Sequence, residues 1–256
     1  MLKALFGRKK TVVPKPSVPD NVRVYAVGDI HGRLDLLQDL HRRIADDVAG
    51  DSGGAGPARR VVIYLGDYID RGEKSADVID FLIDHPIPGC EQYFLMGNHE
   101  EMLLTFLDDP SIGPMWMFNG GDATLLSYGG GAQGETSGEA RMMAMQRSLR
   151  EKLPKRHLAF LRALRLYHIE GGYVFVHAGL APGRPIEEQD SQDLLWIRDE
   201  FMQSTDDHGY CVVHGHTICE QPDFRANRIG IDTGAYFSGV LTCLVLEGEE
   251  QRLLQT

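Results

Sequence analysis

Cysteine is scarce in this chain of 256 residues: Cys90, Cys211, Cys219 and Cys243 are the only four, and no CxxC pair occurs. That excludes a thiolate metal cage and a disulfide scaffold, and it leaves reduced side chains set mostly in apolar runs, where they read as packing residues. Long hydrophobic runs are missing as well. No stretch reaches the roughly 18 apolar residues that a membrane span requires, so no stable membrane association is expected. Positive charge is in deficit, with 26 Lys and Arg against 37 Asp and Glu and a formal net charge of −11. Without a long basic tract, a nucleic-acid backbone is excluded as the main partner. A phosphorylated substrate is not, because bound cations cancel negative charge locally. Met1 to Lys10 holds a short apolar run followed by Arg8-Lys9-Lys10 and no small-residue cleavage site, so a soluble cytoplasmic protein is the expectation.

What is present is a repeated alternation of apolar runs and polar clusters. Pro14, Pro16 and Pro19 mark residues 1–21 as a flexible, extended lead-in with little part in the fold. Val22 to Val27 reads as a strand, and Leu34, Leu36, Leu37, Leu40 and Ile44 give the following helix an apolar face. Arg60 to Leu65 is a more continuous apolar run suited to an interior strand. Ser75 is placed to cap a helix that buries Val78, Ile79, Leu82 and Ile83, and Tyr93 to Met96 predicts a third strand. Further strands are predicted at Tyr173–Val176, Tyr210–Val213, Arg228–Asp232 and Val240–Leu246. Between them, residues 107–168 break the rhythm with Trp116, Phe118, several glycines and a basic helical stretch. They read as a helical and loop insertion, either a cover for a pocket or ordinary helical packing. The expected fold is a layered α/β sandwich of two mixed β-sheets packed face to face and flanked by helices, formed as a single domain over residues 22–256.

The polar clusters follow the predicted strands: Gly28-Asp29-Ile30-His31-Gly32, Gly66-Asp67-Tyr68-Ile69-Asp70-Arg71-Gly72, Gly97-Asn98-His99-Glu100, His177-Ala178-Gly179 and Gly215-His216-Thr217. Strand C-termini are where open α/β sheets build sites. Taken singly, each residue has a plainer role, as a helix cap, a satisfied core histidine or a surface ion pair. Asp67 changes the balance, because a carboxylate can bridge two cations about 3.5 to 4 Å apart that polarise one phosphate and its attacking water. The expected first ion takes Asp29, His31 and Asp67, and the second takes Asp67, Asn98, His177 and His216. Nitrogen and oxygen donors suit manganese first, then iron or zinc. His99 is the candidate general acid, Asp70 its orienting partner, and Arg71 and Arg198 the forks for phosphate oxygens. Glu100 is left outside the catalytic set as a helix cap, and His214 is read as a core hydrogen-bonding residue.

Together these clusters, with Leu195-Trp196-Ile197-Arg198, resemble the PPP-type serine/threonine protein phosphatases within the calcineurin-like metallophosphoesterases, across about 190 residues. The resemblance implies an α/β sandwich, a dinuclear metal site and direct attack of water without a phosphoenzyme. It places the first-metal ligands on Asp29, His31 and Asp67 and the second-metal ligands on Asp67, Asn98, His177 and His216. The acid and its orienter fall on His99 and Asp70, and the phosphate arginines on Arg71 and Arg198. Ile218, where broader relatives carry another histidine, favours the protein-phosphatase branch. The segment Ile231-Asp232-Thr233-Gly234-Ala235-Tyr236 is similar to that of small bacterial members, including hydrolases of diadenosine tetraphosphate, and sets Tyr236 near the pocket mouth. The leading expectation is removal of phosphate from phosphoserine or phosphothreonine in proteins. The alternative is cleavage of a dinucleoside polyphosphate, and a binding protein without catalysis is disfavoured because no proposed ligand is missing.

Overall fold

The computed structural model describes residues 15–50, 56–132, 134 and 137–256. The chain begins with β1 (Val22–Val27), α1 (Leu34–Gly50), β2 (Arg59–Tyr64), α2 (Ser75–Asp84), β3 (Glu91–Phe94) and α3 (Asn98–Asp108). A helical interval follows, with α4 (Gly113–Trp116), α5 (Asp122–Ser127), α6 (Gly138–Lys152) and α7 (Lys155–Arg162). Then come β4 (Tyr167–Glu170), β5 (Tyr173–Val176), α8 (Ser191–Trp196), α9 (Asp199–Gln203) and β6 (Cys211–His214). The chain closes with β7 (Asp223–Phe224), β8 (Arg228–Gly230), α10 (Ala235–Ser238), β9 (Thr242–Glu247) and β10 (Glu250–Gln255).

These strands form two five-stranded mixed sheets, ordered β10-β9-β1-β2-β3 and β4-β5-β6-β8-β7. In the first sheet β1, β2 and the edge strand β3 run parallel while β9 and β10 pair antiparallel; in the second β5, β6 and β8 run parallel while β4 and β7 pair antiparallel. Period-two alternation explains why the central runs are apolar throughout. Val22, Val24 and Ala26 face the second sheet, where they meet Tyr173, Phe175, Val213 and Ile229. Tyr25 and Val27 face the opposite way, into a core shared with Leu37, Leu40 and Ile44 of α1 and Val78 and Ile79 of α2. A third core joins Val174, Val176 and Val212 to Leu194 and Phe201 of α8 and α9. The two-sheet sandwich with helices outside is thus the architecture that the sequence pattern predicts.

Several local expectations change. Ser75 does not cap α2: it is the first helical residue, and its hydroxyl accepts from Asp70 N at 3.0 Å. β3 lies two residues earlier than predicted: Leu95 N still donates to Tyr64 O of β2, but Leu95 and Met96 also pair with Arg165 beyond the strand's end. β4 and β10 are edge strands rich in polar residues, held by backbone pairing with one neighbour and so carrying no apolar signature. The part of the lead-in that is described is extended and packed, with Val18 only 3% exposed. Val18 N donates to Gly248 O on the first sheet, and Ser17 O accepts from Gly172 N on the second, so this short segment ties the two sheets together. Residues 1–14 of the lead-in lie outside the described residues.

Candidate metal centre

The loops that follow the parallel strands are joined by backbone hydrogen bonds before any side chain is considered. Ile30 N and His31 N both donate to Asp67 O, at 3.0 and 2.8 Å, and Gly32 N donates to Tyr68 O at 2.9 Å. Gly28 has no room for a side chain, since a Cβ there would stand 2.7 Å from Ile231 O. Close approach brings strain. His31, Asp67, Asp70, Arg71 and His216 all have positive φ, between 46° and 71°. Non-glycine residues in this region cost on the order of 1–3 kcal/mol each, which the surrounding packing must offset.

Glu100 holds this arrangement from beneath. Its buried carboxylate accepts from the backbone N–H groups of Asp67, Tyr68 and Gly97 at 2.8–2.9 Å, and from that of Ile69 at 3.3 Å. The cap expected at the start of α3 is therefore real, since Glu100 bonds the Gly97 amide, but the same carboxylate also anchors the neighbouring loop. Burial and the Asp67 charge raise its pKa, while His99 and the amides of Gly97 and Asp67 oppose the rise.

Asp67 lies at the centre. Its Oδ2 is 3.4 Å from His31 Nε2 and 3.7 Å from His99 Nε2, while its Oδ1 is 3.4 Å from His177 Nε2. Burial alone would disfavour its charge, but His177, His99, His31 and His216 together hold its pKa down. The tautomers of two of these histidines follow from their partners, because a carbonyl can only accept. His31 Nδ1 donates to Ile69 O and His177 Nδ1 donates to Leu65 O, both at 2.9 Å. Each neutral ring then presents a bare Nε2 lone pair to Asp67. Burial keeps His31, His177 and His216 neutral by lowering their pKa values.

At His177 an acceptor therefore faces acceptors, and His216 leaves its Nε2 buried without a partner. Asn98 Oδ1 stands 2.9 Å from His177 Nε2 and 3.0 Å from His216 Nδ1, beside Asp67 Oδ1. Two groups of donor atoms close enough to share an ion result, His31 with Asp67 and His99, and Asp67 with His177 and His216. Lone pairs facing one another in a buried site fit a pair of cations with nitrogen and oxygen ligands, so the residues suit a dinuclear centre. Asp29 is placed beside the first group rather than within it: its Oδ2 accepts from His216 N at 3.0 Å, and its Oδ1 is buried without a partner.

Asp232 was not among the predicted site residues, yet it is only 2% exposed and faces Asp29. Burial, aided by the Asp67 charge, raises its pKa to about 6. Burial, Asp232 and Asp67 raise that of Asp29. A third carboxylate beside Asp29 and Asp67 adds to the demand for positive charge. Its sequence signal is its place in the Ile231 to Tyr236 segment at the end of a strand, and the packing of that segment against Gly28 after β1 brings it to the site.

His99 and Asp70 form the expected pair. His99 Nδ1 donates to Asp70 Oδ2 at 2.7 Å, which turns Nε2 toward Asp67 Oδ2. Burial disfavours the His99 cation, but the Asp67 and Asp70 carboxylates outweigh it and raise its pKa. Asp70 is itself fixed by the 107–168 insertion. Trp116 Nε1 donates to Asp70 Oδ2 at 2.9 Å and Thr124 Oγ1 to Asp70 Oδ1 at 2.6 Å. Gly120 O accepts from Arg71 N at 3.1 Å. The insertion therefore touches the site, through residues whose role only contact reveals.

The two arginines differ. Arg71 is half-buried, with Nη1 2.8 Å from His31 Nε2 and its guanidinium 4.9 Å above the Tyr236 ring. Arg198 is exposed and donates to His216 O at 3.1 Å, which puts it at the rim on the side of the second group. Tyr236 also meets His31 edge-on at 5.5 Å. His214 turns away from the centre toward Phe201, 5.1 Å ring to ring, and burial lowers its pKa to about 4.

Comparison with known proteins bears on this arrangement. The sequence is 27% identical over 236 residues to the asymmetrical bis(5'-nucleosyl)-tetraphosphatase PrpE of Bacillus mycoides (strain KBAB4), covering 85% of this chain and 88% of that one. The same-named protein of Halalkalibacterium halodurans is 26% identical, with 85% and 87% covered. Among solved structures, one named provisionally as a diadenosine tetraphosphatase superposes with a TM-score of 0.60 at 20% identity, over 93% of this chain and 98% of that one. A serine/threonine phosphatase from Saccharomyces cerevisiae gives 0.53 at 14% identity, over 94% and 84%. These structural likenesses show a shared fold. Residues 22–233 match the calcineurin-like phosphoesterase family, and with the sandwich and its paired donor groups in view, this chain belongs to that family of metal-dependent phosphoester hydrolases.

Proposed function

We propose that this protein hydrolyses bis(5'-nucleosyl) tetraphosphates, with two metal ions held by Asp29, His31, Asp67, Asn98, His177 and His216. The observation that carries the two-metal chemistry is the divided geometry of Asp67, whose two oxygens each face a different set of imidazoles. The substrate rests on the relatives, which cover most of this chain and are named for that activity. They shift the balance from the phosphoserine and phosphothreonine expectation to its alternative. On this reading residues 22–256 work as one domain, with 107–168 forming one wall of the site.

When bound, the ions supply positive charge to a phosphoryl group and acidify water; manganese is the first to try, then iron or zinc. The chain's own residues do the rest. Arg71 and Arg198 hold phosphate oxygens from two sides. The His99 imidazolium, oriented by Asp70, offers its Nε2 proton to the leaving oxygen. Trp116 and Thr124 keep Asp70 in place.

The test is a comparison of kcat/KM on diadenosine tetraphosphate and on phosphothreonine peptides, using protein stripped of metal and refilled with manganese. At least a hundredfold preference for the dinucleotide, with none of either activity before refilling, is expected. Preference for the peptides would return the assignment to a protein phosphatase.

A further inference from the structure

On the reading just given, a nucleoside lies one or two phosphates from the attacked phosphorus, which puts the surface around Arg71 within reach of its base. The surface there is unusual. Tyr236 packs its face under the Arg71 guanidinium and its edge against His31. Next to it Phe237 is 63% exposed, its ring edge-on to Tyr236 at 5.0 Å. An exposed phenylalanine on a flexible side chain would fold down onto apolar neighbours. Phe237 instead sits over Gly234, where an added Cβ would collide with ring atoms Cε1 and Cζ. The turn that carries both rings is pinned at each end. Gly234 and Gly239 adopt φ of 66° and 74°, Gly234 N donates to Asp232 Oδ1 at 2.8 Å, and Ala235 O accepts from Arg33 at 2.9 Å.

We infer that Phe237 is the stacking platform for the nucleobase of the substrate, with Tyr236 fixing its position relative to the phosphate held by Arg71. A ring that is supported on one side, open to solvent and already ordered loses little freedom when a base settles on it. Aromatic stacking tolerates any base, so the platform selects nucleotides as a class. A stacked ring reads no base edge, so uridine and guanosine nucleotides are expected to bind alongside adenosine nucleotides.

The test uses the full-length, manganese-loaded enzyme, with AMP and inorganic phosphate as competitive probes. Wild-type protein is expected to bind AMP at least tenfold more tightly than phosphate. Phe237→Ala should cut AMP affinity and raise KM for diadenosine tetraphosphate about fivefold or more, the usual loss when a stacking ring is removed. Its affinity for inorganic phosphate should change less than twofold. Phe237→Trp should restore AMP binding, with indole fluorescence quenched by AMP and not by phosphate. Phe224→Ala, an exposed phenylalanine on β7, serves as the control and should change neither. If the wild type cleaves the dinucleotide while Phe237→Ala keeps its KM and its AMP affinity, the platform is wrong and the proposed activity stands. If the wild type does not cleave dinucleotides and AMP binds no better than phosphate, both fall.

Discussion

Asp67 and His99 are close in space but have different roles in the proposed mechanism, and replacing each should give a different failure. Asp67→Asn removes one charge and one of the two oxygens that face separate imidazole groups. Both ions should be lost or weakened together, roughly 10–100-fold in affinity, read by titration calorimetry or by metal content after dialysis. Loss of a single ion would show that Asp67 serves only one site. His99→Asn should keep both ions bound and lower kcat, because the imidazolium held by Asp70 loses its role as proton donor. The loss depends on the leaving group. A phosphate leaving group, whose conjugate acid has a pKa of about 6, needs less help than an alkoxide. The expected cost is therefore about 100-fold or more on a phosphoserine monoester but smaller on a dinucleoside tetraphosphate. Equal losses on both would remove His99 as the acid.

At the scale of elements, residues 107–168 send Trp116, Gly120 and Thr124 against Asp70 and Arg71, contacts that the sequence pattern leaves undecided. Thr124 donates to Asp70 Oδ1, accepts from Asp70 N and meets Ser75 Oγ at 2.9 Å, all in a buried pocket. Thr124→Val takes away the hydroxyl that donates to the buried Asp70 Oδ1 at nearly constant volume, while Asp70 N keeps its bond to Ser75 Oγ. We expect about 2 kcal/mol of lost stability in denaturant unfolding. The acidic limb of the kcat profile should also move as Asp70 is freed, whereas a purely structural threonine would leave that limb in place. The strands show why some elements were legible and others were not. Central β1, β2, β5 and β6 are buried on both faces and announce themselves by apolar runs. The edge strands β4 and β10 are held by hydrogen bonds to one neighbour, and backbone pairing leaves no mark on side-chain type. Asp29, His31, Asp67, Asn98, His177 and His216, the proposed ligands, stand out in the sequence because few residue types can hold a metal. Trp116, Thr124 and Asp232 do not, because each acts through a contact.

For the whole molecule, stability depends on a histidine far from the metal centre. His41 on α1 is buried against Tyr64, with Nε2 2.8 Å from the phenol oxygen, and burial lowers its pKa to about 4. The unfolded chain binds a proton at about 6.5, the folded one only near 4, so stability falls as pH drops through that window. Between pH 7 and pH 5 the loss should be about 2 kcal/mol, and His41→Gln should flatten this part of the curve in urea unfolding. A slope unchanged by the substitution would assign it to other groups. The N-terminal segment offers a second test of the whole fold. Removing residues 1–21 uncovers the site of Val18 and cuts the tie between the sheets, for a loss of about 1.5–3 kcal/mol, while kcat should hold. A large fall in kcat with unchanged unfolding would show that this segment reaches the site.

The sequence by itself determined the donor types, their position after apolar strands and the two-sheet sandwich, because metal chemistry and burial both constrain side chains locally. Only the tertiary structure decided that Asp67 faces two groups at once, that Asp232 joins Asp29, that the insertion grips Asp70 and that Phe237 stands open beside Tyr236, the ring under Arg71. Each of those facts joins segments far apart in the chain, and such contacts are set by how the sheets and helices pack, which no local pattern of residues records.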